Sequence, residues 1–332
     1  MNEAWAKYQF SPQIAVKLGR QVLSYDDERL IGALDWVMQG RSFDALKGIL
    51  TFNPNSKLEG VLTYHNDDND ANDSINKEIY GISDGGEITK SLQILHYQYK
   101  NDRKFGFSAV VLNNILQNPS GTHYDMLTAG INVKKYFEWF GLFGSAYYQT
   151  GKNTLAQSKS AYQFSVNADF ILSSKINLIV GTEWLSGKNY DTPAGENKSF
   201  SPLYGTNHAF NGFMDYFYYA GYHFNSFGLN DYYLKSSFKF HPNSVLLMNF
   251  HTFTTNENLG TNQKGEDLSP YLGSELDLVF NQKIGKPITL SLGQSFMFAG
   301  ESMEIVKAVS QPKGLQSWTW IGVKVAPSFR LK

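Results

Sequence analysis

Charged side chains of opposite sign are concentrated near the start of the chain, between Lys17 and Phe52. This stretch holds three of the five arginines in the whole sequence. A guanidinium group pairs bidentately with a carboxylate and keeps its charge at any ordinary pH, so such a cluster either binds an anionic ligand or braces a loop through ion pairs. Both readings stay open at this point. The predicted constriction or binding site consists of Arg20, Arg29, Arg41, Asp27, Asp35 and Asp44.

Several other kinds of chemistry are excluded by composition. The 29 basic and 30 acidic residues give a net charge of -1, which argues against a broad basic surface for nucleic acid. The chain has no cysteine, so disulfides, thiolate metal sites and cysteine nucleophiles are absent. There is no Gly-x-Ser-x-Gly motif, and the seven histidines show no paired metal-ligand spacing. We therefore expect neither an enzyme nor a cofactor or metal site.

One acidic run could suggest calcium. In Asp67–Asp73, alternate oxygen ligands resemble the beginning of a calcium-binding loop. No glycine follows Asn72, however, and no glutamate stands where such a loop needs its last ligand. The run is therefore interpreted as a solvated loop.

The elements that must position the charged residues are indicated by alternation with period two. Between Tyr162 and Leu172, apolar side chains alternate with Gln163, Ser165 and Asn167. Such alternation is typical of a strand with two different faces. Runs of this kind reach ten residues or more, which is long for a globular protein but suits a tilted strand that crosses a bilayer.

The segments between these runs and the position of the aromatics support the same interpretation. Short turn sequences such as Asn118–Gly121 and Ser173-Ser174 alternate with long connections, among them 66 to 87 and 188 to 212. Aromatic residues gather near strand ends, as they do at membrane interfaces. A soluble sandwich would instead place Phe164 in a dry core between two sheets.

The predicted fold is all-β: a transmembrane antiparallel up-and-down β-barrel of about 14–16 strands, forming one domain over residues 1–332. A lipid-exposed sheet must close on itself to satisfy its backbone hydrogen bonds, which favours a barrel. No apolar run is long enough for a membrane helix.

The charged stretch also carries a family resemblance. Leu18-Gly19-Arg20-Gln21, then Asp35-Trp36, then Arg41-Ser42-Phe43-Asp44 resemble consecutive elements of the alginate export porins of Gram-negative outer membranes. A second patch, Phe200–Thr206 with the residues that lead to Asp215, is similar to a later loop of that family.

The resemblance implies a bacterial outer-membrane porin, a passive channel for an anionic polysaccharide or oligosaccharide that is lined by basic side chains. Its implied partners are outer-membrane lipid, that saccharide and periplasmic export machinery. Two alternatives remain: a general diffusion porin without polyanion specificity, and a non-conducting barrel that serves as an adhesin or assembly surface. The other charges expected in the lumen have mixed signs, which favours modest specificity: Lys134, Asp169, Glu183, Lys235, Lys239, Glu275 and Asp277.

Barrels of the family are larger and carry a signal peptide and several strands before the Gly-Arg-Gln motif. Here that motif begins at Gly19. We therefore expect that the signal peptide and first strands are missing from this sequence, and that the seam between the first and last strands, near Tyr8 and Val323, is open or poorly paired.

Overall fold

The computed structural model describes residues 3–35, 40–65, 88–101, 104–118, 120–217, 227–261, 264–285, 287–307 and 314–326. The candidate calcium run Asp67–Asp73 and Trp36 lie outside these ranges. Within them the strands are β1 (Ala4–Gln9), β2 (Ile14–Gln21), β3 (Phe43–Asn53), β4 (Ser56–Tyr64), β5 (Ile88–Asn101), β6 (Phe105–Gln117), β7 (His123–Tyr136), β8 (Phe140–Lys152), β9 (Ser158–Ile171), β10 (Ile176–Leu185), β11 (Glu196–Asn197), β12 (Leu229–His241), β13 (Ser244–Thr254), β14 (Tyr271–Ile284), β15 (Ile288–Ala299) and β16 (Leu315–Val325). A 3-10 turn (Asn207–Ala209) and one short helix, α1 (Met303–Lys307), complete the described elements.

All described strands belong to one sheet with up-and-down topology. Fifteen of them pair antiparallel in chain order, and the two-residue strand β11 pairs parallel with β9 outside this path. The predicted all-β antiparallel architecture of 14–16 strands is confirmed. Among the described helices, none is long and apolar enough to cross a membrane.

The two faces of the sheet differ as the alternation predicted. On β9, Phe164 and Val166 are 44% and 40% exposed, whereas Gln163 and Ser165 are 2% and 3% exposed. We call the face with exposed apolar side chains the outer face and the opposite one the inner face. Apolar residues that point outward and polar residues that are covered on the inside are the reverse of a soluble sandwich, and they are the arrangement of a membrane barrel.

Short turns join the strands at one rim, and their sequences explain their conformation. In the β3–β4 turn, the Asn55 amide donates to Asn53 Oδ1 over 2.9 Å. In the β9–β10 turn, the amides of Lys175 and Ile176 donate to Ser173 Oγ over 3.2 and 3.1 Å. Asn and Ser side chains that accept from the backbone two or three residues later stabilise such turns. Most connections at the other rim, the loop rim, are longer.

Aromatic side chains form an outward-facing belt near each rim. At the turn rim, Phe137 stacks on Phe140 with ring centroids 4.4 Å apart, and Phe140 lies 6.0 Å from Phe170. Near the loop rim, exposed rings belong to Tyr148, Tyr162, Trp184, Tyr232 and Phe250. Rings with one apolar and one wet edge are favoured at both membrane interfaces.

Trp318 and Trp320 depart from the expectation that aromatic residues form interfacial belts. Trp318 and Trp320 on β16 lie directly opposite Ser295 and Gly293 of β15. Ser295 is buried on the inner face, where its hydroxyl donates to Asp277. Both indoles therefore lie on the inner face, because register partners share a face.

The sheet has two edges within the described residues. β1 pairs with β2 and β16 pairs with β15, and no ladder between β1 and β16 is found in the part of the chain that the structure describes. Tyr8 and Val323 on these strands are 66% and 64% exposed.

Candidate functional site: a lumen crossed by two inward segments

The connection between β2 and β3 folds against the inner face. We call residues 22–35 the first inward segment. Its apolar side chains Leu23, Leu30 and Ile31 are buried in the same cluster as wall residues such as Leu112. Burying them inside the barrel removes apolar surface from water, which drives the segment inward.

Asp26 fixes this segment to the wall. His96 Nε2 on β5 lies 3.2 Å from Asp26 Oδ1, and Ser108 on β6 donates its hydroxyl to the same carboxylate. Asp26 has a left-handed backbone with φ of 59°. That conformation is costly for a residue with a side chain and persists where surrounding contacts hold it.

Arg29 is the most enclosed of the three predicted arginines. Its guanidinium pairs with Glu183 on β10, and its Nε donates to Asp27 Oδ2 over 2.8 Å. The guanidinium carbon also lies 4.0 Å from the centre of the Phe210 ring. A buried arginine with two carboxylate partners and an aromatic cover braces the segment across the lumen.

A second inward segment, residues 198–217, comes from the long β10–β12 connection and joins the first. The Gly32 amide donates to the Tyr204 carbonyl, and the Tyr204 amide donates to the Leu30 carbonyl, each over 2.9 Å. Thr206 donates its hydroxyl to Glu28 Oε2 over 2.6 Å. A Cβ at Gly32 would overlap Thr206 Oγ1, so glycine permits the close approach of the two segments.

Polar wall residues also hold the second segment. Gln149 on β8 donates to the Ser201 carbonyl and accepts from the Ser201 amide, both over 2.8 Å. Lys159 on β9 donates to Asn197 Oδ1 over 3.1 Å and to the Ser199 carbonyl. These bonds satisfy backbone groups that the lumen would otherwise leave unpaired.

Four buried wall carboxylates accept hydrogen bonds from residues 211–214 of this segment, and we call them the carboxylate seat: Glu183, Asp231, Glu275 and Asp277. Asn211 donates to Glu183 over 3.1 Å and to Asp231 over 3.3 Å. The Met214 amide donates to Glu275 over 2.8 Å. The Phe213 amide similarly donates to Asp277 over 3.3 Å.

The close fit over this seat depends on Gly212. Its φ is +87°, and a Cβ there would lie 2.6 Å from the carboxylate oxygen Oε1 of Glu275. The cavity beside Arg29 and Phe210 has a volume of about 20 Å³, enough for roughly one water. The inward segments therefore pack tightly against this part of the wall.

Glu28 shows the electrostatic balance where the two segments meet. Burial raises the pKa of its carboxyl, but hydrogen bonds from Ser24 and Thr206, together with nearby Arg41, bring the pKa below its ordinary value. The charged form is thus the one that the junction stabilises.

The structure does not bring the six predicted site residues together at one place. Arg41 joins Arg29 at the second inward segment, donating to the carbonyls of Tyr204 and Gly205. Asp27 pairs with Arg29, and Asp35 is exposed. Arg20 does not converge with them.

Arg20 instead forms a bidentate pair with Asp44, with distances of 3.0 and 2.7 Å. Asp44 stands between Phe43 and Ala45, which are buried on the inner face. The Arg20–Asp44 pair therefore lies on the outer face, close to the loop rim, because neighbouring side chains on a strand point in opposite directions. In the sequence, Arg20 alternates in step with Leu18 on β2, and Asp44 with Leu46 on β3. This alternation could have predicted that the pair faces outward.

A row of lysines on the inner face was not predicted. Lys7, Lys17 and Lys47 lie directly opposite one another across β1, β2 and β3. The Nζ of Lys47 lies 3.3 Å from Glu59 Oε2, and Lys57 Nζ lies 2.7 Å from the other oxygen of that carboxylate. Like charges placed directly opposite repel each other, and the carboxylates of Glu3 and Glu59 offset part of this repulsion. On β2, the alternation of Ala15, Lys17 and Gly19 was the signal in the sequence.

Comparison with known proteins agrees with the fold and with the family. No curated protein shows significant sequence similarity to this chain. Among solved structures, OccK10 (OpdN) of Pseudomonas aeruginosa matches with a TM-score of 0.60 at 10% identity, covering 96% of this chain and 81% of that one. The outer membrane protein OprD of Pseudomonas aeruginosa matches with a TM-score of 0.59 at 10% identity, covering 94% and 75%.

A third structure, OpdK of Pseudomonas aeruginosa with vanillate, matches with a TM-score of 0.58 at 11% identity and covers 96% of this chain and 76% of that one. At these identities the likeness concerns the fold. The family profile "Alginate export" matches residues 1–311. The chain belongs to the alginate export family, and it is a porin-type β-barrel of the bacterial outer membrane.

Proposed function

We propose that the channel passes anionic saccharide chains of the alginate type by passive diffusion, and that the lysine row of β1–β3 supplies the attraction. The row is the observation that carries this proposal. Lys7, Lys17 and Lys47 stand side by side on the inner face, and Lys57 adds a fourth ammonium group nearby. Two carboxylates, Glu3 and Glu59, pair with them, so positive charge is in excess.

Four acidic residues of the inner wall add little opposing charge, because they are covered. Glu183, Asp231, Glu275 and Asp277 are at most 4% exposed. Their partners are Arg29, His251, Asn211 and backbone amides of the second inward segment. Lys7 is exposed, and the side chain of Lys57 is 39% exposed. A permeating ion that passes the wall formed by β1–β3 therefore meets an excess of ammonium groups.

In this proposal the predicted arginines have a supporting part. Arg29 and Arg41 hold the two inward segments that narrow the lumen, and Arg20 forms an ion pair with Asp44 on the outer face, near the loop rim. This is the bracing alternative for the arginine cluster, and it is supported by the carboxylate and carbonyl partners of Arg29 and Arg41. A direct role of the six predicted residues in binding the saccharide stays a prediction.

The mixed signs elsewhere in the lumen favour a second candidate, a general diffusion porin. Asp169 and Lys235, for example, flank Ile179 on the inner face. Flux into liposomes separates the two functions. An anionic trisaccharide of uronic acids should enter faster than neutral maltotriose, and added salt should reduce the difference because it screens the lysines. Equal rates would support the general porin, and absence of any flux would support a non-conducting barrel.

A further inference from the structure

Two indoles occupy the inner face in the middle of β16. Trp318 and Trp320 follow Gln316, whose side chain accepts a hydrogen bond from Tyr216 at the end of the second inward segment. Their register partners on β15 are Ser295 and Gly293. The pair thus lies just beyond the segment that narrows the lumen, on the side of the turn rim.

One face of the Trp320 ring lies against the wall. A Cβ at Gly293 would overlap the indole atoms Cε2 and Nε1, so the ring lies against the bare backbone of the glycine. Trp318 lies beside it, with ring centroids 6.2 Å apart and an angle of 37° between the planes. The Trp318 side is open, since this residue is 41% exposed.

The inner face has two similar contacts in which a tyrosine covers a glycine, Tyr147 over Gly130 and Tyr233 over Gly181. Those tyrosines lie on interior strands and are 4% and 9% exposed. Trp318 differs because β16 is an edge of the described sheet, and its open indole presents apolar surface that a ligand can cover.

Polar side chains line the inner wall on the strands next to the two rings. Ser291, one step along β15 from Gly293 on the same face, donates to Asn281 Oδ1 over 2.6 Å. Asn249 and Asp277 lie in the row of Trp318. A pyranose ring has an apolar face of C–H groups and an edge of hydroxyls, so it matches an aromatic surface with hydrogen-bonding groups at its border.

We propose that Trp318 and Trp320 form a stacking platform for the sugar rings of the permeating saccharide. The platform adds recognition of the sugar face to the charge recognition by the lysines, and it rests on the proposed saccharide function. The class of ligand is a pyranose oligosaccharide, whether charged or neutral.

Binding to the full chain in detergent micelles tests the platform, with calorimetry as the measurement. The probes are a uronic acid trisaccharide, maltotriose and acetate. Trp318→Leu should weaken the binding of both trisaccharides about 5-fold and leave acetate binding unchanged. Trp184→Leu is the matched control, because Trp184 is also 41% exposed but faces outward; its binding should equal that of the unchanged protein.

Three other results would overturn the proposed platform. Unchanged trisaccharide binding by Trp318→Leu, equal loss in Trp184→Leu, or no saturable binding of either trisaccharide overturns the platform. Trp320→Phe, which keeps a ring over Gly293, is the second variant, and it should bind more tightly than Trp320→Leu. If maltotriose binds as tightly as the uronic trisaccharide but Trp318→Leu weakens both, the platform stands and the anion preference of the proposed function fails.

Discussion

At the scale of single residues, burial decides what each arginine does. Arg29 pairs with Glu183 under the cover of Phe210, whereas the Arg20 side chain is 33% exposed in its pair with Asp44. Removing one partner of a buried pair leaves an uncompensated charge, but an exposed pair contributes little. The two arginines therefore contribute differently to the free energy of unfolding, although both have carboxylate partners.

Arg29→Gln should lower the free energy of unfolding by about 3–5 kcal/mol, as measured by denaturant titration in micelles. Arg20→Gln, the matched control, should cost about 1 kcal/mol or less. In Arg29→Gln with Glu183→Gln, part of the loss should be regained, because no carboxylate is then left unpaired. Equal losses for the two single variants would contradict the assigned burial.

A second prediction concerns the backbone contact at Gly32. Gly32→Ala should separate the two inward segments, because the new methyl group would overlap Thr206 and lie 2.8 Å from Glu28 Oε2. The variant should show wider current fluctuations in planar bilayers. Gly60→Ala is the control, since a Cβ there has nothing within 4 Å among the described residues. An unaltered trace for Gly32→Ala would count against a joined pair of segments.

At the scale of elements, the strands and turns could be predicted from the sequence, but the inward segments could not. Alternation from Tyr162 to Leu172 depends on neighbours along one strand, and Ser173 caps its own turn, so both signals are local. The backbone of the first inward segment, by contrast, is held at Leu30 and Gly32 by hydrogen bonds to Tyr204, which lies far away in the chain. The family resemblance identified both patches but did not show that they touch.

The junction of the inward segments should loosen in acid. The folded pKa of Glu28 is depressed, so its contribution to stability is present above the ordinary carboxyl pKa of about 4.3 and is lost as the pH falls through the lower, folded value. Current fluctuations should therefore increase below about pH 4. In Glu28→Gln the same change of pH should have a smaller effect, and an identical response in both proteins would exclude Glu28 as the cause.

At the scale of the whole molecule, the sheet sorts charge and apolar surface between its faces. The outer face carries exposed leucines, valines and two aromatic belts, which suit lipid. The inner face carries lysines near β1 and covered carboxylates near β14. Because the net charge is only -1, ion selectivity depends on which charges are covered, and composition alone could not reveal that.

Reversal potential under a salt gradient in planar bilayers tests the lysine row most directly. The unchanged protein should be anion-selective, and the combined variant Lys7→Gln, Lys17→Gln and Lys47→Gln should lose this preference. The control removes three exposed lysines at the rims, Lys104, Lys152 and Lys175, and should keep it. Cation selectivity of the unchanged protein, or an anion preference that survives in the row variant, would contradict the account.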